Sequence, residues 1–190
     1  MPRGQIWGSR AAREMNTTYK LGSIAGLRLT AQPSTIISSI VLWVILSVVA
    51  FGLLHLPPGA AMLGALVAVA LHWLSVLIHQ LGHALAARRA EYPMVGIEFW
   101  LLLSRSLYPK EEPALPADIH IRRALGGPII SLLCSLLAGL CALVLHGPGG
   151  VLWWVAFFFF LDNLLVFTLG AILPLGFTDG STLLYWIRRW

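Results

Sequence analysis

Residues 60–89 read AAMLGALVAVALHWLSVLIHQLGHALAARR, and no Asp, Glu, Lys or Arg interrupts the run from Ala60 to Ala87. Coiled as an α-helix, that run would extend about 42 Å, more than the roughly 30 Å hydrocarbon core of a bilayer. Arg88 and Arg89 close it. Three further stretches reach the roughly 20 residues that a spanning helix needs: Thr35–Leu56, ended by Pro57, Pro58 and Gly59; Gly126–Leu145, ended by His146, Gly147, Pro148 and Gly149; and Val151–Leu173, running into Pro174. The two Pro/Gly interruptions are short, so each predicts an antiparallel helical hairpin. Composition agrees. The 190 residues are 58% hydrophobic and 11% charged, against about 25% charged in a soluble domain, so lipid must cover part of the surface.

The expected fold is therefore an all-α polytopic membrane protein with about four transmembrane helices and a small membrane-associated β element, forming one domain over residues 1–190. Basic residues set its orientation. Arg3, Arg10, Arg13, Lys20 and Arg28 precede the first span. Arg88, Arg89, Arg105, Lys110, Arg122 and Arg123 lie between the second and third, and Arg188 and Arg189 follow the fourth. These are all 13 Lys and Arg residues of the chain; the two hairpin turns hold none. The positive-inside rule then puts both termini and the central segment in the cytoplasm, of a prokaryotic cell membrane in this reading. Residues 1–30 read as a cytoplasmic or interfacial tail with no signal peptide, and no further module is expected after Trp190. Residues 90–125 read as a cytoplasmic loop. Within it Val95–Leu103 is too short to span and rich in strand formers, so it is read as a short strand or hairpin dipping toward the membrane.

The formal charge of +5 does not indicate nucleic acid, because no Lys/Arg run is interleaved with aromatics. Cys134 and Cys141 are seven apart in one apolar helix and read as packing residues. Gly127, Ser131, Ser135 and Gly139 form a row of small residues along the third span that lets another helix approach closely. Trp153, Trp154, Trp186 and Trp190 fall near interfaces, as indole rings prefer.

Chemistry concentrates in His79-Gln80-Leu81-Gly82-His83. Histidines at i and i+4 share a helical face about 6 Å apart, so both rings can reach one ion. Polar side chains at membrane depth are expensive, which favours a function for them. Six of the eight acidic residues (Glu14, Glu91, Glu98, Glu111, Glu112, Asp118) fall in the expected cytoplasmic segments; only Asp162 and Asp179 lie within or beside apolar sequence. Asp179 follows Leu173-Pro174-Leu175-Gly176-Phe177-Thr178, which breaks a helix next to a carboxylate, and unwound backbone at membrane depth survives only in protein or beside a water-filled cavity. Two His and one Asp with a fourth position open form a catalytic type of zinc site. His72 is about 10 Å from His79 along the helix, too far to share the ion, and reads as bonding a neighbouring helix. Asp162 reads as partnering a polar group between helices or lining a water path.

At these residues the chain resembles the site-2 protease family of intramembrane zinc metalloproteases. His79-Gln80-Leu81-Gly82-His83 matches the family's His-Glu-x-x-His except at its second place. Pro174, Asp179 and Gly180 match its Asn-x-x-Pro followed by Asp-Gly, with Ala171 at the asparagine position and Asn163 the nearest upstream asparagine. Gly127-Pro128 and Gly22–Pro33 also look like family sequence, so the likeness covers roughly residues 20–187. It implies Zn2+ held by His79, His83 and Asp179, a substrate that is itself a transmembrane segment within the lipid bilayer, and a sheet after the second span that receives the substrate as an added strand. Val95, Gly96, Ile97, Glu98 and Phe99 are the expected substrate-binding strand.

Gln80 occupies the position of the general base. Its amide can hydrogen-bond a water but cannot accept the water's proton, and general acid–base help is typically worth about 10²–10⁴ in rate. The expected function is an intramembrane zinc metalloprotease in a form with little activity. Two origins for Gln80 are open, a deliberate Glu→Gln change that traps the protease or a natural pseudoenzyme; the intact ligand set favours the first. The alternatives are a zinc-bound pseudoprotease that binds and regulates membrane partners, and a metal transporter.

Overall fold

The computed structural model describes residues 18–147 and 150–190. Most of the expected tail, including Arg3, Arg10 and Arg13, lies outside the described residues, as do 148–149 of the turn between the third and fourth spans. Among the described residues the order is β1 (Tyr19–Ile24), β2 (Leu27–Ala31), α1 (Pro33–Gly52), α2 (Pro58–Arg89), β3 (Gly96–Trp100), β4 (Leu103–Leu107), α3 (Ala117–Leu145), α4 (Gly150–Leu161), a π-helical continuation of α4 over Asp162–Gly170, and α5 (Asp179–Ile187).

Among the described residues four helices are long and apolar enough to cross a membrane: α1, α2, α3, and α4 with its π continuation. Pro33 and Pro58 open α1 and α2 at positions where a missing N–H leaves nothing unpaired. Apart from Ala50, α1 buries no residue, and Ile37, Ile40, Ile45 and Val48 stand exposed. A stripe of that size suits lipid, not water. Two indole donors tie α1 to α2, Trp43 Nε1 to the Met62 carbonyl at 3.0 Å and Trp73 Nε1 to Ser39 Oγ at 3.0 Å. Both protect polar groups at membrane depth.

Helix α3 starts nine residues before the expected Gly126, because Ala117–Leu125 continues the helix beyond its apolar part. The charges Asp118, Arg122 and Arg123 hide this turn from a reading by hydropathy. Where α2 and α3 meet, glycine faces glycine: a Cβ on Gly126 would lie 2.7 Å from Ala86 Cβ, and one on Gly82 would lie 3.0 Å from Ile130 Cβ. The row Gly127, Ser131 and Ser135 continues that buried seam, and Gly139 meets the Phe160 ring.

Two expectations are corrected. Residues 19–31 are not tail but a β-hairpin, turning at Ala25 (φ 50) and Gly26 (φ 82), the left-handed pair that suits a two-residue hairpin. In the segment 90–125, read as a loop with a short strand or hairpin, the hairpin is present as β3–β4, and the loop ends where α3 begins at Ala117 rather than at Leu125. All four strands form one sheet in the order β1-β2-β3-β4, with β2 parallel to β3 and the other pairs antiparallel. Leu27, Ala31, Ile97 and Phe99 pack from this sheet onto Val76 and Ala87 of α2, Met94, and Phe167 of the π segment. The sheet is thus clamped onto the half of α2 that bears the histidines.

Candidate metal centre

His79 and His83 stand one turn apart on α2, both buried, with Nε2 atoms 3.0 Å apart. Asp179, the first residue of α5, reaches them from a sequence distance of about one hundred residues: Oδ2 lies 3.2 Å from His79 Nε2 and Oδ1 3.3 Å from His83 Nε2. The break that frees this carboxylate is built by Pro174 and Gly176 (φ 90), with Thr178 before α5 and the Gly176 N–H on Ser181 Oγ at 2.7 Å. Gly180 must be glycine there, since a Cβ would strike the backbone of Ile172 and Leu173.

The far nitrogens of both rings are engaged by α3. His83 Nδ1 lies 2.8 Å from the Arg123 carbonyl, and His79 Nδ1 lies 3.0 Å from Ser131 Oγ. The Arg123 carbonyl only accepts and lies nearer His83 Nδ1 than the Gly127 N–H does, which is 3.3 Å away, so Nδ1 carries the hydrogen and Nε2 offers its lone pair. With Ser131 accepting in the same way, two lone pairs and a carboxylate face one point, which only a positive charge can reconcile. Imidazoles oriented by acceptors on their outer nitrogens are the usual support of metal ligands. Space confirms the fit. At Gly127 a Cβ would lie 2.6 Å from His79 Nε2 and closer still to His83 Nε2, so only glycine leaves both donor atoms in place.

The three donors open on a cavity of about 790 Å³, lined on one side by Gln32 and β4 and on the other by Phe167, Ala171 and Phe177. Gln80 is buried in its wall, with Ser106 Oγ 2.8 Å from Oε1. Arg123, itself buried, binds Glu112 through both guanidinium nitrogens at 3.0 and 2.6 Å, bonds the Tyr92 carbonyl and lies over the Tyr108 ring at 4.1 Å. With Glu112 it lines the cavity beside His83. His72 and Asp162 pair with each other at 3.1 Å and take no part in the cluster. Asn163 is committed to Ser75 Oγ and the Phe159 carbonyl and does not line the cavity.

The expected substrate-binding strand is placed differently. Gly96–Phe99 belong to β3, which is paired on both sides, by β2 and by β4. Ile97 and Phe99 enter the core, and Glu98 is held by Gln32 at 2.8 Å and by Arg105 at 2.6 Å. An interior strand has no edge to offer. Among the described residues the free edge beside the cavity belongs to β4. Sequence reasoning also missed Ser131, Gly127 and Arg123 as supports of the histidines. The signal was present: Gly127 and Ser131 are spaced i, i+4 on α3, as His79 and His83 are on α2.

No family model matches the chain, and no curated protein matches it either. Among solved structures it is similar to the site-2 protease from Methanocaldococcus jannaschii, with a TM-score of 0.62 and 16% identity over 90% of this chain and 72% of that one. The chain therefore shares the fold of that site-2 protease, and its own described residues build it from four helices long and apolar enough to cross a membrane and a small sheet packed against them.

Proposed function

We propose that this chain is a zinc-binding membrane protein of the site-2 protease type, which receives an extended segment of a transmembrane substrate along β4, with peptide-bond hydrolysis as its reaction class. The observation that carries this reading is the convergence of His79, His83 and Asp179 on one point in a cavity whose other wall is an unpaired strand edge. Zn2+ bound by these three groups supplies Lewis acidity toward water and toward a peptide carbonyl. Ser131 and the Arg123 carbonyl keep the imidazoles aimed, and Gly127 keeps the space open. Strand addition holds a peptide extended, exposing the bond that a helix hides. Gln80 can hydrogen-bond a water beside the donors but cannot take its proton. The cavity-lining carboxylates among the described residues are Asp179 and Glu112, and both are engaged, one with the histidines and one with Arg123. The site thus holds and orients better than it transfers protons, and turnover is slow.

One observation favours a second reading, a pseudoprotease that captures membrane partners without cleaving them. Besides Gln80, Ala171 occupies the position where the resemblance leads one to expect asparagine, and it lies on the cavity wall with no polar group to offer. A metal transporter, the third reading, calls for a series of sites; among the described residues one three-residue group is present. Two measurements separate the readings. Elemental analysis should find about one zinc per chain, falling steeply in Asp179→Ala. Gln80→Glu should then raise cleavage of a membrane substrate by about 10²–10⁴. Zinc with no gain in cleavage leaves capture as the function, and no zinc in the unaltered protein removes the metal reading altogether.

A further inference from the structure

The β3–β4 turn is pinned on both sides by side chains from two spans. Leu101, at φ 48, occupies a left-handed conformation that a residue with a Cβ disfavours. Its N–H is taken by Ser34 Oγ at 3.2 Å, from the first turn of α1. The next carbonyl, of Leu102, lies 2.9 Å from His72 Nε2 on α2. Because that carbonyl only accepts, Nε2 carries a hydrogen. His72 Nδ1 in turn lies 3.1 Å from Oδ1 of Asp162, the first residue of the π segment. Both side chains are more than nine-tenths buried.

A second contact lies further along the same strand. Ser106 meets Gln80 of α2 at 2.8 Å. From Leu102 to Ser106 is four strand residues, about 13 Å; from His72 to Gln80 is eight helical residues, about 12 Å. Strand and helix run side by side with matched marks at both ends. A slip of one residue would turn Ser106 to the opposite face of the sheet and break the match.

We infer that His72 and Asp162 are positioning residues: they set where β4 lies along α2, and thereby which residue of an added strand comes level with His79, His83 and Asp179. Asp162 acts through His72 by fixing its ring, and His72 acts through the turn. The inference rests on the strand-addition reading for its functional meaning, but not for its test.

The test is hydrogen–deuterium exchange read by mass spectrometry on the purified protein, with zinc content measured in parallel. Asp162→Ala frees the ring, and exchange over residues 101–107 should quicken by about tenfold or more, while residues 79–83 and the zinc content stay as in the unaltered protein. Asp162→Asn can donate its amide hydrogen to Nδ1 and leave Nε2–H on Leu102, so it should restore slow exchange. Unchanged exchange over 101–107 in Asp162→Ala, or an Asn variant that behaves like the Ala variant, overturns the inference. Should Asp162→Ala fail to fold, Ser34→Ala removes the other pin of the same turn, and exchange there must again quicken or the inference fails. A protein without zinc that still shows this pattern would sink the metal reading and leave the positioning role standing.

Discussion

At the scale of single residues, the histidine pair shows how little a metal centre can tolerate. Two rings one turn apart are common on helices; what distinguishes His79 and His83 is the absence of a side chain opposite them. Gly127→Ala would put a methyl group within 3 Å of the His79 Nε2, and because the seam between α2 and α3 is backbone against backbone the rings cannot retreat together. Ser131→Ala removes only an orienting partner at 3.0 Å. The expected outcomes differ in kind. Gly127→Ala should abolish zinc binding, whereas Ser131→Ala should weaken it by about 10–100-fold, both measured by competition with a chelator of known affinity. Equal losses would mean that Gly127 matters for helix packing alone. The spacing of the histidines and the isolated Asp179 were legible from residue types, because polar groups stand out in apolar sequence. The supports were not, since a small residue and a main-chain carbonyl carry no mark until two helices are packed.

At the scale of elements, the spans announced themselves, and of the sheet only the stretch around β3 did. Helices α1 to α4 follow from long apolar runs, but β2 has five residues whose inward side chains, Leu27, Leu29 and Ala31, gain burial from partners far along the chain: α2, Met94, Phe167, and β3 nearly seventy positions later. Nothing local distinguishes it from tail. For the same reason the fully paired β3 could not be told from the edge strand β4. The pair that ties these two strands gives a test. Burial pushes the Glu98 carboxyl up, but hydrogen bonds from Gln32 and Arg105, with the Arg105 charge, outweigh it and leave the group below its ordinary range. A depressed folded pKa stabilises above the unfolded value, and the stabilisation is lost as pH falls through the folded one. Glu98→Gln should therefore lower the melting temperature by a few degrees at pH 7. Arg105 is more than half exposed, so solvent screens the pair and keeps the effect modest. The gap between the two proteins should persist through the ordinary carboxylate range and close only below it. A gap that closes between pH 5 and 4 would show that Glu98 is not held down.

At the scale of the whole molecule, the distribution of charge is the remaining argument. The described basic residues cluster at the sheet, at the end of α2, at the start of α3 and after α5, while the turns at His55–Pro57 and His146–Gly147 carry none. Four crossings with this bias predict cytoplasmic termini. The cluster of His79, His83 and Asp179 would then sit toward the cytoplasmic side, since His79 lies about 14 Å of helix before Arg88, and Arg123 with Glu112 would guard its approach from the cytoplasm. Single cysteines decide the matter. With Cys134 and Cys141 replaced by Ser, a cysteine at His55 should react with a membrane-impermeant maleimide in intact bacterial cells, and one at Glu111 should react only after the membrane is opened. Both sites are exposed turns away from the donors, so neither change should disturb metal binding. Labelling at Glu111 in intact cells would invert the orientation and put the strand edge of β4, with any substrate it receives, on the outer side.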